Sequence, residues 1–189
     1  MYNYYGEIMK DLHKNKTKIL LSNALKELLQ EKPFENIKLI EICDRALVHK
    51  TTFYNHFEDK YDLLNYIIRD IQKTMLKKVE DNDNIIKYYL DIAKEYITNI
   101  KENAYFYKAL LISNQNGICS NIIHNIFVRD VIQNTKKHNI NIPPNYVANY
   151  YVSGLFSVVS EWVMTDMKES EEDMISYIEK LITNKIMVN

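Results

Sequence analysis

Glycine, proline and cysteine are all scarce in this chain of 189 residues, with three glycines, three prolines and two cysteines. So few glycines leave no phosphate-cradling loop or dinucleotide fingerprint, and they argue against a turn-rich sandwich. Cys43 and Cys119 stand far apart with no C-x-x-C spacing, which suggests neither a zinc site nor a disulfide framework and fits reduced thiols in a cytosol. Long apolar runs are missing too: the richest stretch, Tyr146 to Met164, is interrupted by Asn149, Ser153, Ser157, Ser160 and Glu161, so no membrane span is expected. The first residues, MYNYYGEIMKDLHK, lack the basic start and apolar run of a signal peptide.

What remains is 47% hydrophobic and 26% charged, the proportions of an ordinary globular protein, and with so few helix breakers the chain reads as all-α. A net charge of −1 gives no bulk attraction to nucleic acid, but groove binding needs only local positive charge. Such charge is concentrated early, where Lys10, Lys14, Lys16 and Lys18, with His13, face a single acid, Asp11. No nucleophile elbow, P-loop or H-E-x-x-H is present, and His124 and Cys119 share a helical face too poorly for a metal pair. No enzymatic reaction, cofactor or metal is therefore expected.

The most informative stretch is Ile37 to Leu64, IKLIEICDRALVHKTTFYNHFEDKYDLL. Leu39, Ile40, Ile42, Cys43 and Ala46 repeat at helical steps, and a connector of only Leu47 to His49 leads into a second short helix. At roughly 100° per residue, Phe53 and Phe57 fall on one side of that helix, while Thr51, Thr52 and Asn55 point the other way with Tyr54 and His56 on the flanks. Two short helices joined so tightly make a helix-turn-helix, whose second helix can enter the major groove of DNA.

From Thr17 to about Leu64 the chain resembles the DNA-binding domain of TetR-type transcriptional regulators, with a long first helix, the helix-turn-helix, the run TTFYNHF, then Glu58-Asp59-Lys60 and the pair Leu63-Leu64. The resemblance, together with the facing argument, makes Thr51, Thr52 and Asn55 candidates for base-edge contact, since hydroxyls and amides suit adenine and thymine edges. It implies phosphate contacts from Tyr54, His56 and Lys60, and from Lys38, which stands where the family often has a hydroxyl residue. Phe53 and Phe57 would anchor the recognition helix to its core. Two departures stand out: Leu47 occupies the turn position usually held by a small residue or glycine, and His49 stands where Ser or Asn often caps the recognition helix.

Elsewhere the pattern stays helical. Leu21, Ala24, Leu25 and Leu28 place one stripe on the first helix, which runs from Lys16, or earlier, to about Glu31, where Pro33 ends it. A fourth helix capped near Asp59 carries Leu64, Ile67, Ile71 and Met75, and a polar break follows at 81–84. Further helices are expected over Ile85 to Ile100, Ala104 to Ser113, Ile118 to about Lys137, Pro143-Pro144 to about Asp166, and from a Ser170 cap to about Ile186, with a loop at 114–117. These make about nine in all, divided into an N-terminal three-helix DNA-binding domain over 1–60, with its core at 16–60, and a C-terminal helical ligand-binding and dimerisation domain over 61–189. That second half resembles the family through helix count and the run GLFSVVSEWVMTDMKESEEDM, Gly154 to Met174.

Two further sets in the second half are candidates. Tyr89, Tyr96, Tyr107 and Phe127 belong to a crowd of aromatics able to line an apolar effector pocket, although core or interface packing accounts for any single one. Tyr151, Gly154, Leu155, Val158 and Trp162 recur at helical steps, and burying that face against a twofold mate would form a four-helix dimer interface. The expected protein is a cytoplasmic homodimeric regulator that binds a palindromic double-stranded operator and responds to an unknown small molecule. The alternative is a TetR-like fold acting mainly through a protein partner.

Overall fold

The computed structural model describes residues 2–79, 84–112, 117–135 and 141–183, with the side chains of 2–14, 85 and 134 left aside. The expected breaks at 81–84 and 114–117 lie, apart from Asn84 and Gly117, outside these residues, as do the ends expected near Lys137 and Ile186. Among the described residues every regular element is helical: α1 Tyr2–Glu31, α2 Leu39–Arg45, α3 Lys50–Tyr54, α4 Lys60–Leu76, α5 Ile85–Glu102, α6 Ala104–Ile112, α7 Ile118–Thr135, α8 Pro144–Met164 and α9 Glu171–Ile182, with a single 3₁₀ turn at Phe34–Asn36. The chain divides into two compact units, Met1–Ile67 and Ile68–Asn189. The division falls inside α4, so the first half of that helix belongs with the N-terminal unit.

In the first unit, α1 begins at Tyr2, well ahead of Lys16. Its stripe of Leu21, Ala24, Leu25, Leu28 and Leu29 is buried and α1 packs along α2, while Ile42 and Cys43 of α2, Phe53 of α3, and Leu63, Leu64 and Ile67 of α4 are buried in the same unit. Outside that core, Arg45 reaches across to Glu27 and Glu31 of α1, and Lys32 pairs with Glu41. The Lys32 ammonium, helped by the Lys38 backbone N–H, holds the Glu41 carboxyl below its ordinary value.

Helix starts follow side-chain chemistry. Asp59 Oδ1 accepts from the N–H groups of Tyr61 and Asp62, both at 2.8 Å, and so caps α4. Asn84 does the same for α5, and Ser170 Oγ accepts from Asp173 N at 3.0 Å to start α9. Pro144 opens α8 where its missing N–H is not needed.

In the second unit α8 lies along α7, and α9 along α5. Ile97 and Ile100 of α5, Trp162 and Val163 of α8, and Met174, Ile178 and Ile182 of α9 form the core cluster. No helix among the described residues is long and apolar enough to cross a membrane.

Candidate nucleic-acid interface and ligand cavity

The recognition segment is brief. α3 runs only from Lys50 to Tyr54, with Asn55 as its C-cap and Phe57 N–H still bonded to the Phe53 carbonyl at 3.0 Å. Phe53 and Phe57 are buried, with ring centroids 5.7 Å apart, and fix the helix to the core. Thr51, Tyr54 and Asn55 are exposed, and Thr52 and His56 are half-buried. The polar side chains expected to meet a groove therefore share the solvent side of α3, with Thr52 at its edge.

Local backbone explains what this segment tolerates. Leu47 N–H bonds to the Asp44 carbonyl and Val48 N–H to the Cys43 carbonyl, which closes α2 tightly and drives Leu47 to φ 54°. That left-handed conformation suits glycine, and a leucine there is strained. Its side chain is 93% exposed and gains no packing in return. His49 has the extended backbone of an N-cap, but its imidazole makes no capping hydrogen bond, so the capping role open to it is not realised.

Of the expected phosphate ligands, Lys38 is exposed at the start of α2, beside the turn into the motif. Lys60 is a correction. Its ammonium donates to the carbonyls of Phe34, Glu35 and Ile37 at 3.0, 3.1 and 3.0 Å, and lies 4.7 Å from the centre of the Phe34 ring. An ammonium has three donors, and these three acceptors use them all. Lys60 thus ties the 3₁₀ turn to α4, an internal role that sequence spacing alone does not reveal. Lys50, exposed at the first position of α3, is a cation next to exposed Thr51 that was not among the expected phosphate ligands. Its place between the turn and Thr51 was the available signal. Lys16 is exposed on α1, while Lys18 sits 5.0 Å over the Tyr66 ring; Lys10, His13 and Lys14 fall among the side chains left aside.

In the C-terminal unit a cavity of about 350 Å³ opens between α5, α6, α7, α8 and α9. Tyr89, Tyr96, Tyr107 and Phe127, scattered over three helices, all line it, with aliphatic side chains such as Ile92, Ile123, Val152 and Val159 between them. Tyr107 Oη donates to Asn99 Oδ1 at 2.7 Å, and the Tyr89 hydroxyl lies 3.4 Å from Thr135 Oγ1. The hydroxyl of Tyr96 is buried against Gln72 of α4, whose amide nitrogen is buried too. Burial pushes the ionisation of Tyr89, Tyr96 and Tyr107 upward, so all three remain neutral donors at physiological pH.

The dimer face expected on α8 needs correcting at Trp162. Only 2% of it is exposed: it belongs to the protomer's own core and its Nε1 donates to the Glu169 carbonyl at 3.1 Å. Tyr151 and Leu155 line the cavity, and Val158 packs against the core cluster. Gly154 is on the open side, where a Cβ would meet nothing within 4 Å, and Tyr151, although it lines the cavity, is itself 36% exposed. The side of α8 that does face outward carries Tyr146, Tyr150, Ser153, Ser157 and Met164, with Tyr150 73% exposed. Both faces of α8 are rich in tyrosine and small residues, so periodicity alone does not place Trp162 inside the protomer. Cys119 is buried, and His124 Nε2 lies 2.9 Å from Ser153 Oγ.

Comparison with known proteins agrees with both units. Residues 21–67 match the sequence profile of bacterial regulatory proteins of the tetR family, and residues 88–184 match that of a transcriptional regulator C-terminal region. The HTH-type dhaKLM operon transcriptional activator DhaS of Lactococcus lactis is 20% identical over 177 residues, 91% of each chain. Among solved structures, a putative TetR-family transcriptional regulator from Syntrophomonas wolfei superposes with a TM-score of 0.71 at 17% identity, covering 93% of this chain and 99% of that one. The regulator FadR from Bacillus subtilis, solved in complex with stearoyl-CoA, gives 0.65 at 14% identity, with 89% and 98% covered.

Proposed function

We propose that this chain, which belongs to the TetR family of transcriptional regulators, is a ligand-responsive repressor that binds a palindromic operator as a homodimer. Its DNA-binding motif is the helix-turn-helix of α2 and α3. The observation that carries the reading is the division of α3, which buries Phe53 and Phe57 and leaves Thr51, Tyr54 and Asn55 in solvent. Thr51, Thr52 and Asn55 read base edges, and Lys38, Lys50, Tyr54 and His56 hold phosphates and set the register. The outward side of α8, from Tyr146 through Tyr150 and Gly154 to Met164, together with exposed Tyr177 and Leu181 of α9, forms the dimer contact. Two recognition helices then meet half-sites about one helical turn apart.

A small molecule in the C-terminal cavity supplies the control. It must bind the operator-competent and operator-released states with different affinity, since equal affinity shifts nothing. The protein works in the cytoplasm and carries out no reaction of its own. A second reading, action through a protein partner as an activator or adaptor, is favoured by the similarity to DhaS, named as an operon activator.

The test begins with selection of random duplex DNA by the purified protein, followed by binding to the enriched site across a salt series. A palindromic site, bound with steeply salt-dependent affinity, is expected. Thr51→Ala or Asn55→Ala should cost about 1–3 kcal/mol at that site, and Lys50→Ala should weaken all sequences alike and lower the salt slope by about one. Absence of any enriched site from a folded dimer would move the function to the partner-dependent reading.

A further inference from the structure

Of the surfaces that the regulatory reading leaves unused, the outward side of α2 carries the most information. Among the seven residues of that helix, Ile42 and Cys43 are buried and Leu39 is half-buried. Glu41 is held by Lys32, and Arg45 by Glu27 and Glu31. That leaves Ile40 and Asp44, both exposed and one turn apart on the same side of the helix, as the pair facing outward.

A single exposed isoleucine is ordinary on a protein surface, so its position decides what it means. Ile40 and Asp44, the connector residues Val48 and His49, and Lys50 and Thr51 of α3 line one depression beside buried Cys43. The depression lies at the start of the recognition helix, where Lys50 and Thr51 are exposed. Its two sides differ chemically. The α3 side offers a hydroxyl and a cation, and the α2 side an apolar side chain, 38% exposed, and a carboxylate. A backbone phosphate seated on the α2 side would face the like charge of Asp44. A base edge carries no such charge. Among the groups that bases present in the major groove, the C5 methyl of thymine is the apolar one, so an exposed apolar side chain has a single target there. Isoleucine is also stiff in a helix, holding essentially one χ1 rotamer, and loses little freedom on contact.

We propose that Ile40 is a specificity-determining residue that packs on the C5 methyl of one thymine in each operator half-site, so that α2 as well as α3 reads sequence. The proposal rests on the DNA-binding reading of the two helices. Thr51 lines the same depression and carries a methyl group of its own, so the experiment has to separate the two side chains.

The test uses the full chain and the duplex enriched by selection, in which each thymine is replaced in turn, symmetrically in both half-sites, by deoxyuridine, which lacks only the methyl. Affinity at fixed salt is compared for the wild type, Ile40→Ala and Thr51→Ser, the last of which keeps the hydroxyl and removes the methyl. The thymine-to-uracil affinity ratio is taken within one protein, so a smaller active fraction in a variant cancels. One buried methyl is equivalent to about fourfold and two to about 15-fold, so at one thymine position the wild type should lose about 4- to 15-fold. Ile40→Ala should lose about as much on the thymine duplex, lose nothing further on uracil, and keep the wild-type salt slope, since no phosphate contact is removed. Thr51→Ser should keep the full ratio at that position. An operator in which no thymine methyl matters, a ratio that survives Ile40→Ala, or a ratio lost instead in Thr51→Ser would each overturn the role of Ile40 and leave operator binding standing. If the folded protein enriches no duplex at all, the DNA-binding reading falls and the proposal falls with it.

Discussion

The two units of this molecule hold themselves together differently. In the N-terminal unit the short elements α2 and α3, seven and five residues long, are too brief to be stable alone and are fastened by individual side chains. Arg45 to Glu27 and Glu31, the Asp59 cap, and Lys60 on three carbonyls are the fastenings, laid over a core in which Leu21, Leu25, Phe34 and Phe53 are all fully buried. The C-terminal unit is built from helices of nine to 21 residues, none as short as α2 or α3, yet it surrounds a cavity. The N-terminal unit is filled and pinned, and the C-terminal unit keeps open space. The contrast turns stability measurements into tests of function.

The largest effect is expected at Lys60. Replacing it by Met keeps the apolar stem and leaves the carbonyls of Phe34, Glu35 and Ile37 without their shared donor. Hydrogen bonds from a charged donor contribute about 1.5–3 kcal/mol net, so Lys60→Met should lower the stability of the N-terminal unit by roughly 2–4 kcal/mol, read as a fall in the urea midpoint. Were Lys60 a phosphate ligand, the same change would leave the midpoint in place and reduce only the salt slope of operator binding.

A smaller but more direct test of filled against hollow compares two alanines. Ala24 is 2% exposed in the packed stripe of α1, and Ala93 lines the cavity on α5. Ala24→Leu forces extra atoms into a closed core and should cost about 1–3 kcal/mol. Ala93→Leu grows into open space, so its cost should stay within about 1 kcal/mol of zero and its sign should be stabilising if the new side chain fills well. Equal penalties at the two sites would erase the distinction between the units.

The same contrast explains what could be read in advance. The helix-turn-helix was legible because its fold depends on particular residues at fixed spacing: Phe53 and Phe57 one turn apart, a short connector, and an acidic cap at Asp59. The four aromatics of the cavity could be named because large rings gather around apolar space, but nothing in their spacing showed which polar group each hydroxyl meets. Those partners, Asn99 for Tyr107, Thr135 for Tyr89 and Gln72 for Tyr96, are set by packing. Trp162 was misplaced for a related reason. A tryptophan at helical steps from Gly154 and Val158 marks a buried face, and only the packing of α5 and α9 against it shows that the face belongs to the protomer. Lys60 matched the family spacing perfectly, and the spacing says nothing of what a lysine donates to.

The smallest effect bears on the pinned unit at its one strained joint. Leu47 has φ 54° and is 93% exposed, so the folded state carries the left-handed strain of a side chain that packs against nothing in the protomer. That conformation costs a non-glycine residue about 1–2 kcal/mol, and glycine gives back part of the gain through the greater freedom of its unfolded chain. Leu47→Gly should therefore stabilise the unit by about 0.5–1 kcal/mol in urea unfolding. The informative comparison is operator affinity measured on the same variant. If affinity is unchanged, the strain serves nothing and the joint is merely tolerated; if affinity falls while stability rises, Leu47 touches DNA at the entrance to the recognition helix, and strain in the filled unit, like space in the hollow one, is kept for a ligand.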